Sequence, residues 1–178
     1  MKKLKNAELG RLSIEEYKEQ VKIPVTVVLD NVRSLHNVGS VFRTCDAFKI
    51  KKIFLCGITG MPPNKEIHKT ALGATESVKW TYKESAIELI KELKNKNYEI
   101  IAIEQAEGSV LLRDFFIDKN NQYVLVFGNE VKGISQEIMD ICNTAIEIPQ
   151  YGTKHSLNIS VCAGIVIWEI FNKIKRDD

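Results

Sequence analysis

The feature that most constrains this chain is a polar loop joined directly to a long apolar segment near the end of the sequence. The loop covers residues 149–158 and the apolar segment covers residues 159–171. Pro149 stops a strand, Gly152 allows a turn that a residue with a Cβ resists, and Ser156 is placed to cap a helix. We therefore expect the loop to end at a helix N-terminus, which offers free N–H groups to a ligand.

Apolar side chains surround the whole circumference of that helix instead of forming one stripe. They are Leu157, Ile159, Val161, Cys162, Ile165, Val166, Ile167, Trp168, Ile170, Phe171 and Ile174. A helix of this kind is buried on several sides. In a chain of 178 residues one face can lie on the protein's own sheet. The other face predicts a second subunit, so we expect a homodimer formed through this helix.

Composition places the chain among ordinary globular proteins. Its 178 residues suit one domain, and a net charge of +2 is too small to indicate a nucleic-acid partner by itself. The four cysteines include no Cys-x-x-Cys pair and are predicted to be reduced core residues. Residues 1–20 have no apolar signal segment, and Ser160 and Glu169 interrupt the long apolar run. We expect a cytoplasmic protein with no membrane span.

Predicted strands alternate with predicted helices along the chain. The strands are expected at residues 25–29, 52–56, 77–82, 98–103, 122–127 and 145–148. The helices are expected at residues 4–21, 41–48, 83–96 and 135–141, followed by the C-terminal one. Strands that are apolar on both faces and alternate with helices predict an α/β fold, with a mostly parallel sheet covered by helices on both faces.

The stretch 1–24 is predicted to be a short N-terminal helical arm, followed by a domain at 25–178. Ser13 and Glu16 have the spacing of a capping box. The arm has two interpretations, which are packing against the domain and contact with RNA. The RNA interpretation would use the basic residues Lys2, Lys3, Lys5 and Arg11.

Three polar loops that contain glycine follow apolar strands, at residues 31–39, 128–133 and 150–156. Ligands of open α/β sheets bind outside the carboxyl ends of the strands, so these loops predict a site at one edge. The sequence has no Gly-x-Gly-x-x-Gly after a strand and no P-loop, which argues against dehydrogenases and NTPases. The three histidines lack metal-ligand spacing, so no metal site is predicted.

Three segments then carry a resemblance to a known family. The segments Asn31–Thr44, Leu125–Ser135 and Ile148–Ser160 resemble, in order and spacing, the three motifs of the SpoU (TrmH) family. Members of this family are RNA ribose 2′-O-methyltransferases of the SPOUT superfamily. The resemblance covers roughly residues 25–172, and it identifies the stretch 25–178 as a SPOUT methyltransferase domain.

The resemblance implies a C-terminal trefoil knot that forms a pocket for S-adenosylmethionine, in a homodimer. Periodicity does not indicate a knot, since true knots are rare. Eight residues are assigned roles by their positions in the motifs. The cofactor-binding residues are Gly128, Ile148 and Leu157; the catalytic residues are Arg43, Asn37, Glu130, Ser156 and Asn158. A side chain in place of Gly128 is expected to occupy cofactor space and to leave the fold intact.

The implied activity is transfer of a methyl group from S-adenosylmethionine to a ribose 2′-hydroxyl of RNA, with tRNA favoured as the substrate. Three alternatives stay open. They are the same activity on rRNA, methylation of a base nitrogen as in other SPOUT branches, and a non-catalytic RNA-binding module with this fold. Arginine essentially never deprotonates in proteins, so Arg43 is expected to clamp an RNA phosphate and to stabilise a developing alkoxide.

Overall fold

Runs of β-branched and aromatic side chains form the strands of one sheet. The computed structural model describes residues 1–175, and residues 176–178 of the predicted domain lie outside the described residues. The strands are β1 (Ile23–Asp30), β2 (Ile50–Cys56), β3 (Trp80–Lys83), β4 (Tyr98–Ile103), β5 (Val110–Leu111), β6 (Gln122–Phe127) and β7 (Thr144–Glu147). Their order is β3-β2-β1-β6-β4-β7-β5, and each pair is parallel, as predicted.

Helices cover both faces of this sheet, which confirms the predicted α/β class. A 3₁₀ turn at Asn6–Leu9 precedes α1 (Ile14–Glu19), α2 (Leu35–Ala47), α3 (Lys65–Ala71), α4 (Ala74–Ser77), α5 (Ala86–Asn95), α6 (Gln136–Met139) and α7 (Ile159–Lys175). On one face, α2, α3 and α7 pack against the sheet around Phe42 and Ile167. On the other face, α5 and α6 pack around Ile90 and Ile138.

The strand β7 lies between two strands that are joined to each other by a short connection. Residues 104–109 connect β4 to β5, and both Ile103 and Val110 pair with Ile146 of β7. The helix α6 before β7 packs on one face of the sheet, and the helix α7 after it packs on the other. The chain therefore passes between β4 and β5 from one face of the sheet to the other.

The helix α7 has one face in the core and another in solvent. Its buried residues are Ile159, Ala163, Val166, Ile167, Ile170 and Ile174. Three large apolar residues, Val161, Ile165 and Trp168, stay exposed on the other side. This arrangement confirms that one face of the helix lies on the protein's own sheet, and it leaves an uncovered apolar face.

The predicted helices 83–96 and 135–141 are each a few residues shorter in the structure, and two others differ more in their limits. The helix α2 begins at Leu35 instead of residue 41, because the Ser34 hydroxyl accepts a hydrogen bond from the N–H of Asn37 at 3.3 Å. The predicted helix 4–21 is a 3₁₀ turn and the six-residue α1, separated by Gly10 in a left-handed conformation (φ 56°). The capping box at α1 is present as predicted.

Three other predictions need correction. Residue 77 ends α4 instead of opening a strand, and β3 begins only at Trp80. The two-residue strand β5 was not predicted. The helix α7 begins at Ile159, and its cap is Asn158 instead of Ser156, since the Asn158 side-chain oxygen accepts hydrogen bonds from the N–H groups of Ser160 (2.9 Å) and Val161 (3.4 Å).

Candidate functional site

A cavity of about 750 Å³ lies at the carboxyl edge of the sheet, between the segments that follow β4, β6 and β7. These three strands are neighbours in the sheet, so their carboxyl ends meet at one place. Six of the eight predicted site residues line the cavity. They are Gly128, Glu130, Ile148, Ser156, Leu157 and Asn158.

The loop after β6 approaches its own backbone closely at Gly128. A Cβ on this residue would lie 2.4 Å from the carbonyl carbon of Gly133 and 2.5 Å from the N atom of Ile134. Side chains at this position would therefore collide with the loop itself before they reached the cavity. We therefore expect a larger residue at 128 to strain the fold of this loop as well as to disturb cofactor binding, because the space that it needs is taken by backbone.

Asn129 holds the same loop in shape. Its backbone exchanges hydrogen bonds with Gly133, and its side-chain oxygen accepts from the N–H groups of Val131 (2.9 Å) and Lys132 (3.0 Å). Its side-chain amide donates to the carbonyl of Asn31, at 2.7 Å. One asparagine thus closes the β6 loop and fastens it to the segment after β1.

Glu130 connects this loop to the start of α2. Its carboxylate accepts hydrogen bonds from the N–H groups of Arg33 (3.0 Å) and Ser34 (3.1 Å) and from the side-chain amide of Asn37 (3.3 Å). Burial acts to raise the pKa of Glu130, but these hydrogen bonds together hold the pKa below its ordinary value. Glu130 is therefore an ionised acceptor at a helix N-terminus, where a negative charge is favourable.

Asn158 extends the connection to the start of α7. Its side-chain amide donates to the side-chain oxygen of Asn37 at 3.2 Å, while its own oxygen caps α7. Asn37 thus receives one hydrogen bond from Asn158 and donates another to Glu130. The structure brings these three predicted residues into one chain of contacts at the border of the cavity.

Two cavity residues, Glu104 and Gln105, were missed in the sequence. The Glu104 carboxylate accepts from the N–H of Ile134 at 3.1 Å, and Gln105 donates through its side chain to the carbonyl of His155 at 2.9 Å. Glu104 thus holds the β6 loop, and Gln105 holds the loop before α7. The available signal was the polar pair directly after the apolar strand β4, at the edge where ligands bind.

Charges inside the cavity are mainly negative. Glu104, Glu107, Glu130 and Glu147 line it, and Lys132 is the one lysine or arginine in its lining within the part of the chain that the structure describes. Burial raises the pKa of the neighbouring Cys162 thiol to about 11, so that group stays neutral at physiological pH. The lining thus favours a ligand that carries positive charge.

Arg43 lies outside this cavity. It is exposed on α2 and borders a second hollow of about 500 Å³, together with Lys69, Phe48 and the hydroxyl residues Ser40, Thr44 and Thr70. Within residues 1–175 its guanidinium forms no hydrogen bond or ion pair. Within one chain, Arg43 therefore lines a different hollow from the one lined by Glu130, Ser156 and Asn158.

The loop between β7 and α7 contrasts with the other borders of the cavity. Each residue from Tyr151 to Ser156 is exposed. A Cβ on Gly152 would meet no atom within 4 Å, and its backbone is outside the left-handed region, so the predicted need for glycine in this turn is wrong. The loop is held from outside by the contact between Gln105 and the carbonyl of His155.

Among the residues that the structure describes, no group of three or more histidine, cysteine, aspartate or glutamate side chains could hold a metal ion. None of the described helices combines the length and the apolar character that crossing a membrane requires.

Comparison with known proteins gives a consistent set of relatives. Residues 24–168 match the model of the SpoU rRNA methylase family. The tRNA (guanosine(18)-2'-O)-methyltransferase of Aquifex aeolicus is 34% identical over 160 residues, which cover 88% of this chain and 72% of that protein. The enzyme of the same name from Thermus thermophilus is 32% identical over 166 residues, which cover 91% of this chain and 81% of that protein.

Solved structures are similar as well. The A. aeolicus TrmH/SpoU tRNA modifying enzyme superposes with a TM-score of 0.81 at 30% identity, covering 92% of this chain and 82% of that one. An rRNA methyltransferase from Sinorhizobium meliloti with bound AdoMet superposes with a TM-score of 0.77 at 28% identity, covering 88% of this chain and 59% of that one.

Proposed function

The chain belongs to the SpoU rRNA methylase family, and on this premise we propose that it methylates a ribose 2′-hydroxyl of RNA with S-adenosylmethionine, with tRNA as the favoured substrate. The observation that carries the proposal is the cavity at the carboxyl edge of the sheet. Residues of all three motifs meet at its border, through the contacts of Asn37 with Glu130 and Asn158.

The cavity suits S-adenosylmethionine in size and charge. A volume of about 750 Å³ is within the usual range for small-molecule sites. The cofactor carries a positive sulfonium and ammonium, and its carboxylate is outweighed by them, so the glutamates of the lining complement it. The residues proposed to hold it are Gly128, Ile148 and Leu157. When bound, this cofactor supplies a methyl group on positive sulfur, which an oxygen nucleophile can take.

The polar residues have separate proposed roles. Glu130, Asn37 and Asn158 are occupied with one another and with helix starts, so we propose that they hold the three motifs in register and orient the ribose at the border of the cavity. Ser156 is exposed at the cavity and has no hydrogen-bond partner among residues 1–175, so its hydroxyl is available to the substrate. Arg43 is proposed to bind an RNA phosphate and to stabilise the developing alkoxide.

A homodimer is the second part of the proposal. Val161, Ile165 and Trp168 form an exposed apolar face of α7. Burial of this face favours dimerisation, because burying one large apolar side chain contributes roughly 1.5–3 kcal/mol. Arg43 lies beside this face, since Phe48 borders the Arg43 hollow and its ring packs on Trp168 with centroids 5.4 Å apart. A subunit that covers α7 can therefore bring its own cavity to this Arg43.

The trefoil knot and the domain division are proposed as well. The knot is supported by the passage of the chain between β4 and β5, which residues 104–109 join on the side of the cavity. The arm 1–24 is proposed to pack on the domain 25–178. In support, Tyr17 of α1 is buried and its hydroxyl lies 3.4 Å from the carbonyl of Cys45.

The activity can be tested with labelled S-adenosylmethionine and unmodified total RNA. We expect label in RNA, in dinucleotides that resist alkaline hydrolysis because the methylated 2′-oxygen cannot attack the neighbouring phosphate. Mapping the labelled nucleotide then separates tRNA from rRNA. Label on a base would instead indicate the base-nitrogen alternative. Absence of both label and cofactor binding would indicate the non-catalytic RNA-binding module.

The homodimer can be tested by light scattering on the wild type and on Trp168→Arg. We expect a dimer for the wild type at micromolar concentration and a monomer for the variant, because a charge in the apolar face opposes its burial. A monomeric wild type of 20.2 kDa would contradict the dimer.

A further inference from the structure

Two loops that border the cavity each expose a large side chain that is not packed in the core. Val131 in the loop after β6 is 78% exposed, and Tyr151 in the loop before α7 is 92% exposed. Each of these loops also carries an exposed lysine, Lys132 in the first and Lys154 in the second. Val131 and Lys132 line the cavity, and Tyr151 and Lys154 belong to the loop segment between its lining residues Gln150 and His155. We call these four side chains the rim.

The rim side chains have no partners among the residues that the structure describes. Within residues 1–175, the side chains of Tyr151, Lys132 and Lys154 form no hydrogen bond, ion pair or ring contact. Some lysines elsewhere are engaged in ion pairs, such as Lys69 with Glu66 at 2.6 Å and Lys96 with Glu92 at 2.8 Å. The rim side chains take part in no such pair and in no core packing, so they are available to a ligand.

Charge is distributed differently between the interior of the cavity and its rim. Glu104, Glu107 and Glu147 belong to the lining and not to the rim, whereas the rim carries two exposed lysines, Lys132, which is itself a lining residue, and Lys154. A phosphate is repelled by the interior and attracted by the rim, and a cationic cofactor is attracted by the interior. The two binding partners of the proposed reaction thus have complementary places at one opening.

We infer that the rim binds unpaired nucleotides of the RNA, with a base stacked on Tyr151 and phosphates at Lys132 and Lys154. This inference rests on the proposed function. An aromatic ring with a nearby cation is the combination that binds single-stranded nucleic acid. Bases within a duplex are already stacked on both faces and cannot reach an exposed ring, whereas bases in loops and at ends can. The rim thereby selects a target ribose in a single-stranded segment.

The main test compares Tyr151→Ala, Tyr151→Phe and the control Phe116→Ala. Phe116 is an exposed aromatic residue (82%) outside the cavity lining. Binding is measured by fluorescence anisotropy with labelled single-stranded oligouridylate and with an RNA hairpin duplex as probes. We expect Tyr151→Ala to weaken oligouridylate binding by about tenfold, and Tyr151→Phe and Phe116→Ala to keep wild-type affinity. Affinity for the duplex should change little in all three variants.

A second arm uses Lys154→Ala and the salt dependence of oligouridylate binding. Removing one phosphate contact should lower the slope of log K against log salt by about 0.7. An unchanged slope together with unchanged affinity in Tyr151→Ala would overturn the inference. A monomeric Tyr151→Ala in light scattering would also overturn it, since the loop would then be a subunit contact.

Methylation kinetics separate failure of this inference from failure of the proposed function. With an RNA that the wild type methylates, Tyr151→Ala should raise KM for RNA about tenfold and leave the calorimetric affinity for S-adenosylmethionine unchanged. An active wild type with an unchanged KM in the variant refutes the rim and keeps the methyltransferase. A wild type that methylates no RNA refutes the proposed function instead, whatever the oligouridylate result.

Discussion

Two loops border the same cavity and are built in opposite ways. In the loop after β6, Asn129 and Glu130 are occupied by hydrogen bonds to their own loop and to the segment after β1. In the loop before α7, each residue from Tyr151 to Ser156 is exposed, and the contact from Gln105 reaches only a backbone carbonyl. We call the first the locked loop and the second the open loop.

The difference indicates how one site divides its tasks. A locked loop fixes groups before the ligand arrives, so binding does not have to order it. An open loop keeps its side chains free for a ligand, and it gives up stability of its own because few contacts hold it. Substitutions of the hydrogen-bonded residues in the locked loop should therefore affect folding and cofactor binding, and substitutions in the open loop should affect substrate interaction.

The largest effect should come from glycine substitutions that test this comparison directly. Gly128→Ala in the locked loop places a Cβ against the backbone of Gly133, so we expect a loss of about 1–3 kcal/mol in the free energy of unfolding and loss of S-adenosylmethionine binding. Gly152→Ala in the open loop meets no atom within 4 Å and should leave both unchanged. Urea denaturation and titration calorimetry measure the two quantities. Equal effects of the two substitutions would remove the distinction between the loops.

Arg43 extends the comparison beyond the cavity, because it too is exposed and unpaired within the described residues. We expect Arg43→Ala to lower the methylation rate by about a hundredfold, the range for losing one donor to a developing negative charge. Stability and cofactor affinity should hardly change. Arg43→Lys should not restore the rate, since lysine lacks the planar fork of donors.

Single-turnover rates and calorimetry on the same samples of Arg43→Ala decide between roles. A full rate would refute a catalytic role. Lost cofactor affinity with an intact fold would instead make Arg43 a cofactor residue.

The pH dependence of stability tests whether the Glu130 carboxylate holds the locked loop. Its pKa is held below the ordinary value in the folded protein, so its contribution to stability is present above the unfolded pKa, near 4.5, and is lost as pH falls through the folded pKa. We expect Glu130→Gln to cost about 1.5 kcal/mol at neutral pH, because the charged acceptor of the Arg33 and Ser34 N–H groups is removed.

The measurement is urea denaturation of the wild type and Glu130→Gln at several pH values. The stability difference between the two proteins should shrink as the solution becomes acidic. Glu107→Gln is the matched control, since Glu107 lines the same cavity and forms no hydrogen bond or ion pair among residues 1–175. A difference that is constant with pH would show that the Glu130 charge is not what stabilises the locked loop.

Much of the fold follows from local sequence, as β1 and β6 illustrate. Both are runs rich in β-branched residues, with aromatic residues in β6, and must be buried on two sides, which predicts a parallel sheet covered by helices. The start of α2 is only partly encoded locally. Ser34 caps the helix, but the N–H of Ser34 also binds Glu130, which lies 96 residues further along the chain. The two-residue β5 likewise exists only through its pairing with β7.

The candidate site was predictable in its residue types and only partly in its geometry. The position of three polar loops after apolar strands predicts the sheet edge, and the motif spacing selects residues such as Asn37 and Asn158, which the structure joins at 3.2 Å. The direction in which Arg43 leaves α2 is a property of packing, and no local pattern encodes it. The roles of Glu104 and Gln105 also depend on loops that are distant in sequence.

The smallest expected effect is a difference in stability between a substitution in the open loop and one at the cap of α7. Ser156 was expected to cap α7, but Asn158 forms the cap and also donates to Asn37. Asn158→Ala should therefore cost about 1 kcal/mol in the free energy of unfolding, the usual loss of an N-cap. Ser156→Ala should stay within about 0.5 kcal/mol, because its exposed hydroxyl has no partner among residues 1–175.

Urea denaturation of both variants measures which substitution costs more stability, and a methylation assay measures the reaction rate of each variant. A slower rate in Ser156→Ala at unchanged stability means that the hydroxyl acts on the substrate, as an open loop predicts, whereas a loss of stability as large as that of Asn158→Ala would place Ser156 with the locked residues.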